Sequence, residues 1–148
     1  MNITIGTLLE FKGTQLYTIP PTATVAEAVL EMNRHNIGSL VVMEGARMLG
    51  MFTARDLMRK VIPAALDPQT TQVRHVMHSE YPVLSPDMGT EEAMEIFEIQ
   101  HIRHLPVFDQ GQLKGVLSIG DLARWCATAN RVEAESLRNY IHTGGLPG

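Results

Sequence analysis

The sequence predicts a mixed α/β (α+β) fold: two strand–helix–strand–strand–helix (βαββα) repeats packed with pseudo-twofold symmetry. Three observations lead there. A shift of 65 residues aligns residues 18–62 on 83–127 without a gap and makes ten of 45 positions identical. Ordinary composition gives about three by chance, so the chain carries an internal repeat. Within each copy, short apolar runs bounded by turn residues alternate with segments of helical period. Finally, a unit of about 60 residues buries too little surface to stand alone, so the two copies share a core.

The doubled signature is Gly50-Met51-Phe52-Thr53-Ala54-Arg55-Asp56-Leu57 and Gly115-Val116-Leu117-Ser118-Ile119-Gly120-Asp121-Leu122. In each, a glycine opens a buried strand, a hydroxyl residue ends it, and an aspartate follows three places later as a helix begins. A hydroxyl, free backbone N–H groups and a carboxylate then meet at a helix N-terminus, where an anion or a sugar hydroxyl can be held. The same spacing is also that of a capping box, which only satisfies the first donors of the helix.

The remaining elements follow from local pattern. Residues 4–11 form a short helix that stops at Lys12-Gly13. Tyr17 to Ile19 is extended and is halted by Pro20-Pro21. Thr24 to Glu27 is a capping box, after which Val25, Ala28, Val29 and Met32 mark one helical face. Ser39–Met43 and Met48–Phe52 are strands joined by a turn, and Ala54–Val61 is a helix ended by Pro63. Pro63 to Gln72 is a linker, and Val73 to Met77 is a helical turn. The second copy has a strand over Tyr81–Leu84, a helix over Gly89–Gln100, and strands over Leu105–Phe108 and Leu113–Leu117. A last helix starts near Ile119 and runs to about Ile141. The expected division is 1–66 for the first motif with its N-terminal segment, 73–127 for the second, and 128–148 for the helical extension and tail.

Composition excludes several classes. A net charge of −4 argues against a nucleic-acid surface. One cysteine, Cys126, allows no intramolecular disulfide and fits a reducing cytoplasm. Residues 1–11 lack the basic start of a secretory signal, and no apolar run is long enough to span a membrane. Gly115 to Gly120 misses the Gly-x-Ser-x-Gly spacing of a nucleophile elbow by one residue, so no catalytic residue is assigned. His75 with His78, and His101 with His104, sit three apart, but two histidines alone make a poor metal site. Cys126 reads as a small packed hydrophobe, and the nine methionines as core filler.

The doubled motif, with Ile37-x-x-Leu40-x-Val42 and Ile102-x-x-Leu105-Pro106-Val107 before it, resembles a tandem pair of CBS (cystathionine β-synthase) motifs, a Bateman module. The resemblance covers about residues 1–127 and leaves no room for an attached enzyme. It implies a non-catalytic regulatory module that senses energy state or a metabolite, often as a disk-shaped dimer. Its ligands are adenosine compounds: AMP, ADP or ATP, with S-adenosylmethionine and NAD(H) as alternatives. In the main site, Asp121 accepts from the ribose hydroxyls and Ser118 contacts ribose or phosphate. Arg103 and His104 hold phosphates, and adenine lies near Thr18, Ile19, Ala23, Ile37 and Val116. The second site comprises Gly38, Ser39, Met51, Thr53, Arg55, Asp56 and Val83. It differs in charge, since Gly38-Ser39 stand where the other copy has Arg103-His104, and Arg55 stands where it has Gly120.

Two readings stay open. One is a sensor of an adenine nucleotide. The other is a ligand-free structural or protein-interaction module whose Ser/Thr-x-x-Asp segments are only helix caps. Either way a homodimer is expected, because Val132, Leu137, Tyr140 and Ile141 form an apolar stripe on the extended last helix.

Overall fold

The order of elements follows from caps and turns that the sequence encodes locally. In the computed structural model, which describes residues 3–13 and 15–127, helix α1 (Ile5–Lys12) comes first. After it come strand β1 (Thr18–Ile19), helix α2 (Val25–His35), strands β2 (Ser39–Glu44) and β3 (Arg47–Thr53), and a helical turn α3 (Ala54–Asp56). Helix α4 (Thr90–Gln100), strands β4 (His104–Asp109) and β5 (Gln112–Ser118), and helical residues 119–127 (α5) complete the described chain. The chain divides into two compact units, one of residues 15–82 and one that joins the N-terminal segment to everything from Val83 onward.

In the unit of residues 15–82, β2 is the centre of a three-stranded sheet. It runs parallel to β1 (Ile19 opposite Val42) and antiparallel to β3 (Leu40 opposite Phe52). Helix α2 begins with the expected capping box, in which Thr24 and Glu27 bond each other's backbone N–H groups. It ends where Asn36 adopts a left-handed conformation, φ 53°. Its Val25, Ala28 and Met32 pack on Ile19, Leu40, Val42 and Phe52, as the helical period requires. The linker then returns to this same core. Val73 and Val76 are buried in it, and the Val73 N–H bonds the Ala23 carbonyl at 2.8 Å.

The helix expected over Ala54–Val61 is interrupted. After α3, residues Leu57–Val61 form a π turn, with the Ile62 N–H bonded to the Leu57 carbonyl. Pro63 lacks an N–H and crowds the preceding turn, so the last donors reach back five residues instead of four.

In the other unit, β4 and β5 form a hairpin closed at Gln110-Gly111, both at positive φ. That is the two-residue geometry whose twist matches the strands. The strand expected over Tyr81–Leu84 shrinks to one parallel bridge between Leu84 and Val107, the counterpart of Ile19 with Val42. In the first unit the Val41 N–H bonds the Tyr17 carbonyl, but its counterpart Pro106 has no N–H to offer the Pro82 carbonyl, which leaves the pairing at Leu84. Helix α1 docks here, not on the first motif with which the sequence reading grouped it. Its Ile5 and Gly6 N–H groups bond the Met88 and Pro86 carbonyls at 2.8 and 2.9 Å, and Ile5, Leu8 and Leu9 are buried. Cys126, expected to be packed, is exposed on α5.

The repeat glycines explain how each flanking segment comes so close to its hairpin. A Cβ on Gly50 would lie 2.7 Å from the His78 carbonyl oxygen and 2.9 Å from the Met77 sulfur. A Cβ on Gly115 would meet only the Leu9 side chain, at 3.2 Å. Backbone cannot retreat as a leucine methyl can. Gly50→Ala is therefore expected to cost about 1–3 kcal/mol in urea unfolding, and Gly115→Ala less than half as much. Equal losses would show that the close approach at Gly50 is not the constraint.

Candidate functional site

Both repeat aspartates are buried, Asp56 at 6% and Asp121 at 8% exposure, so each charge needs partners at short range. In the unit of residues 15–82 the first partner is local. The Thr53 N–H donates to Asp56 Oδ2 at 2.9 Å, the Thr53 hydroxyl donates to the same oxygen at 3.1 Å, and the Asp56 N–H returns a bond to Thr53 Oγ1 at 3.3 Å. The others come from the π turn and the linker. Lys60 Nζ lies 3.2 Å from Oδ1, and His78 Nδ1 donates to Oδ2 at 3.0 Å. His78 is held there because its backbone pairs with Met51 in both directions, and Tyr81 packs edge-on against its ring. Lys60 is tied in turn to the Val76 carbonyl at 3.1 Å.

Asp121 repeats the scheme in the other unit with different cations. Ser118 N–H donates to Oδ2 at 2.8 Å, and the Asp121 N–H bonds Ser118 Oγ at 3.1 Å. Lys12, at the end of α1, reaches Oδ2 at 2.7 Å and also bonds the Val116 carbonyl. Arg124 Nη2 holds Oδ1 at 2.5 Å from one turn along α5. Around this pair lies a cavity of about 430 Å³ lined by Leu8, Phe11, Lys12, Asp121, Arg124 and Trp125. Phe11 and Trp125 are stacked, with ring centroids 5.8 Å apart.

The expected site residues divide between the two units. Arg103, His104, Ser118 and Asp121 gather at one end of the β4–β5 hairpin: His104 is the cross-strand partner of Ser118, and the Arg103 carbonyl accepts the Ile119 N–H at 2.9 Å. Arg103 is exposed and His104 half-buried, while Val116 is half-buried in β5 and Val83 is 48% exposed. Gly38, Ser39, Thr53, Arg55 and Asp56 gather likewise at the end of the β2–β3 hairpin, with Ser39 opposite Thr53. Met51 is fully buried, Ile19 and Ala23 belong to the core of their unit, Ile37 packs against it, and Thr18 is exposed. His75 and His78 do not share a helix, since the 3-10 turn ends at His75. Among the described residues no three histidine, cysteine or acidic side chains cluster as metal ligands.

Lys12, Lys60, His78 and Arg124 are the partners that motif reading missed. Arg124 carried a signal, because it is one of the positions identical between the repeats. Lys60 stands four residues after Asp56 and is readable as a helical ion pair. Lys12 and His78 arrive from separate segments and had none.

These contacts set the acid response. Burial pushes the Asp56 carboxyl up, but the His78 hydrogen bond and charge, the Thr53 N–H and Lys60 outweigh it and leave it below 3.8. Burial likewise raises Asp121, and Lys12 and Ser118 reverse it to a net lowering. A lowered carboxyl contributes stability that is complete above its unfolded value and lost as pH falls through the folded one. Asp56→Asn and Asp121→Asn should each cost about 1–3 kcal/mol at neutral pH. Each should also lose less further stability than the parent between about pH 6 and about pH 3. Urea midpoints across that range test this; a mutant slope as steep as the parent's would refute it.

Comparison with known proteins gives the same organisation. The CBS domain family model matches residues 10–63 and again 73–128. CBS domain-containing protein YhcV of Bacillus subtilis (strain 168) is 37% identical over 129 residues, covering 87% of this chain and 91% of that protein. The mitochondrial CBS domain-containing protein CBSX3 of Arabidopsis thaliana is 34% identical over 126 residues, 82% of this chain and 61% of the relative. The crystal structure of the CBS domain NE2398 matches with a TM-score of 0.82 at 33% identity, covering 86% of this chain and 99% of that one. With one match on each aspartate motif, the chain belongs to the CBS-domain family and carries two of its repeats in tandem.

Proposed function

We propose that this CBS-domain pair, a regulatory kind of module, binds an adenosine-containing ligand at Asp121 and has no catalytic activity of its own. AMP, ADP or ATP fits best, with S-adenosylmethionine and NAD(H) as alternatives. The observation that carries this is a buried carboxylate at a helix start, with Arg103 and His104 at the same end of the hairpin. A carboxylate accepts from two neighbouring hydroxyls at once, which suits a ribose diol, and arginine suits a phosphate. A diol takes its place by displacing Arg124 or Lys12. Arg124 is 75% exposed, so exchanging its bond for ligand and solvent is cheap. Asp56 differs, with Thr53 donating twice to its Oδ2 beside His78, and it stands as the weaker site.

The second reading, a structural module without ligand, draws on one observation: both capping boxes are closed reciprocally within the chain. Calorimetry with AMP and adenosine separates the two readings. AMP should bind more tightly than adenosine, less so with added salt. Arg103→Gln should lower AMP affinity about tenfold, about 1.4 kcal/mol, with little effect on adenosine. Asp121→Ala should weaken both far more than Asp56→Ala does. Absence of binding by the parent leaves the structural module.

A homodimer working in the cytoplasm belongs to the same proposal. The expected stripe at Val132, Leu137, Tyr140 and Ile141 lies outside the described residues. Support comes instead from Leu30, Met58 and Ile62, which are 63–66% exposed in the unit of residues 15–82. No helix among the described residues is long and apolar enough to cross a membrane. Ile62→Lys should shift sedimentation from dimer toward monomer, and an unchanged dimer would place the interface elsewhere.

A further inference from the structure

Helices α2 and α4 hold the same place in the two repeats but offer solvent different faces. Glu27, Leu30 and Arg34 are exposed on α2 at spacings of three and four, so they form one stripe. Leu30 is 63% exposed, with a carboxylate one turn before it and a guanidinium one turn after it. The shift of 65 places Glu92, Glu95 and Ile99 at these positions on α4. The contrast extends to the segment after each aspartate. Met58 and Ile62 are 64% and 66% exposed in the first repeat, where the second has the small residues Ala123 and Ala127. Val61 packs into the same core as Val25, Ala28 and Met32 of α2, so both apolar stretches belong to one unit.

A surface that meets its own copy across a twofold axis must be complementary to itself. The α2 stripe meets this condition. With the axis through Leu30 and perpendicular to the helix, two copies of α2 run antiparallel and the two Leu30 side chains touch. At about 1.5 Å per residue, Glu27 lies about 4.5 Å to one side of the axis and Arg34 about 6 Å to the other. Each copy's Glu27 therefore faces the other's Arg34, and two charge pairs flank one apolar contact. Arg34 already pairs with Glu31 in its own helix, and its several donors let it hold a second carboxylate. The α4 stripe fails the same test, because Glu95 would meet Glu95 and position 99 carries no cation. Setting α2 against α4 of a second copy is also worse, since Leu30 then covers Glu95 and Glu27 faces Ile99. We propose that the chain pairs with a second copy of itself, first repeat to first repeat, across a twofold axis at Leu30 of α2. This rests on the homodimer proposed above and specifies which repeats face each other.

Sedimentation of the full chain reads the charge pairing. Glu27→Lys and Arg34→Glu should each weaken the dimer about tenfold. The double variant exchanges the two charges within one chain and should recover most of the loss, which only a contact of α2 with itself allows. Leu30→Cys in a Cys126→Ser chain gives a second reading, at an exposed position and with a single thiol. Helices packed about 8–10 Å apart bring Cα atoms at such an axis within about 4–6 Å, the reach of a disulfide. Mild oxidation should therefore link Leu30→Cys chains to one another. Linkage only after mixing with Glu95→Cys chains, or no linkage from a dimeric parent, overturns the axis and leaves the homodimer intact. A double variant as weak as the single ones, with its helices kept by circular dichroism, overturns it as well. A monomeric parent removes both.

Discussion

A carboxylate left 6–8% exposed loses most of its hydration, and the rest of each unit is arranged so that the loss is answered. The answer has a local part and a distant part. Locally, a hydroxyl residue three places earlier exchanges hydrogen bonds with the aspartate and starts a helix at the strand's end. At a distance, a second chain segment must bring a cation or a histidine to the carboxylate. That requirement explains why the flanking segments lie flush on their hairpins, and why a glycine stands at position 50 and again at 115.

The two units meet the same requirement with different materials. His78 is fixed by paired backbone bonds to Met51 and by Tyr81, and Lys60 by the Val76 carbonyl, so the donors on Asp56 are built into the unit. Around Asp121, Lys12 is tied to the Val116 carbonyl much as Lys60 is to Val76, but Arg124 is mostly in solvent. An ion pair of that kind contributes at most about 1 kcal/mol. A ligand can exchange with it without taking the helix start apart, because the Ser118 bonds remain. The family fold thus presents two related aspartates and one that is easier to open. This difference arises from neighbours of the motif rather than from the motif itself.

Much of the fold was legible in the sequence because its signals are short in range. The repeat shift, the Thr24-to-Glu27 box, the two strands of each hairpin and the helix starts depend on residues within a few positions of one another. The end of the helix after Asp56 was less legible: Pro63 marked where it stops, but not that the turn before it widens. The segment before Leu84 has the strand pattern but makes only one bridge, because Pro106 opposite it withholds the donor a ladder needs.

By itself the sequence determined the repeat, the α/β class, both aspartates with their hydroxyl partners, and the basic pair Arg103-His104 at one strand's start. Tertiary structure alone decided which cations answer the carboxylates. Lys12 meets the Val116 carbonyl from 104 residues away, and His78 meets Asp56 across 22. It also decided that α1 joins the unit of the second repeat, bringing Phe11 to Trp125. The physical reason is range: caps and periods act over a turn of chain. Burial of Ile5, Leu8 and Leu9 depends on a surface assembled from residues more than seventy positions away.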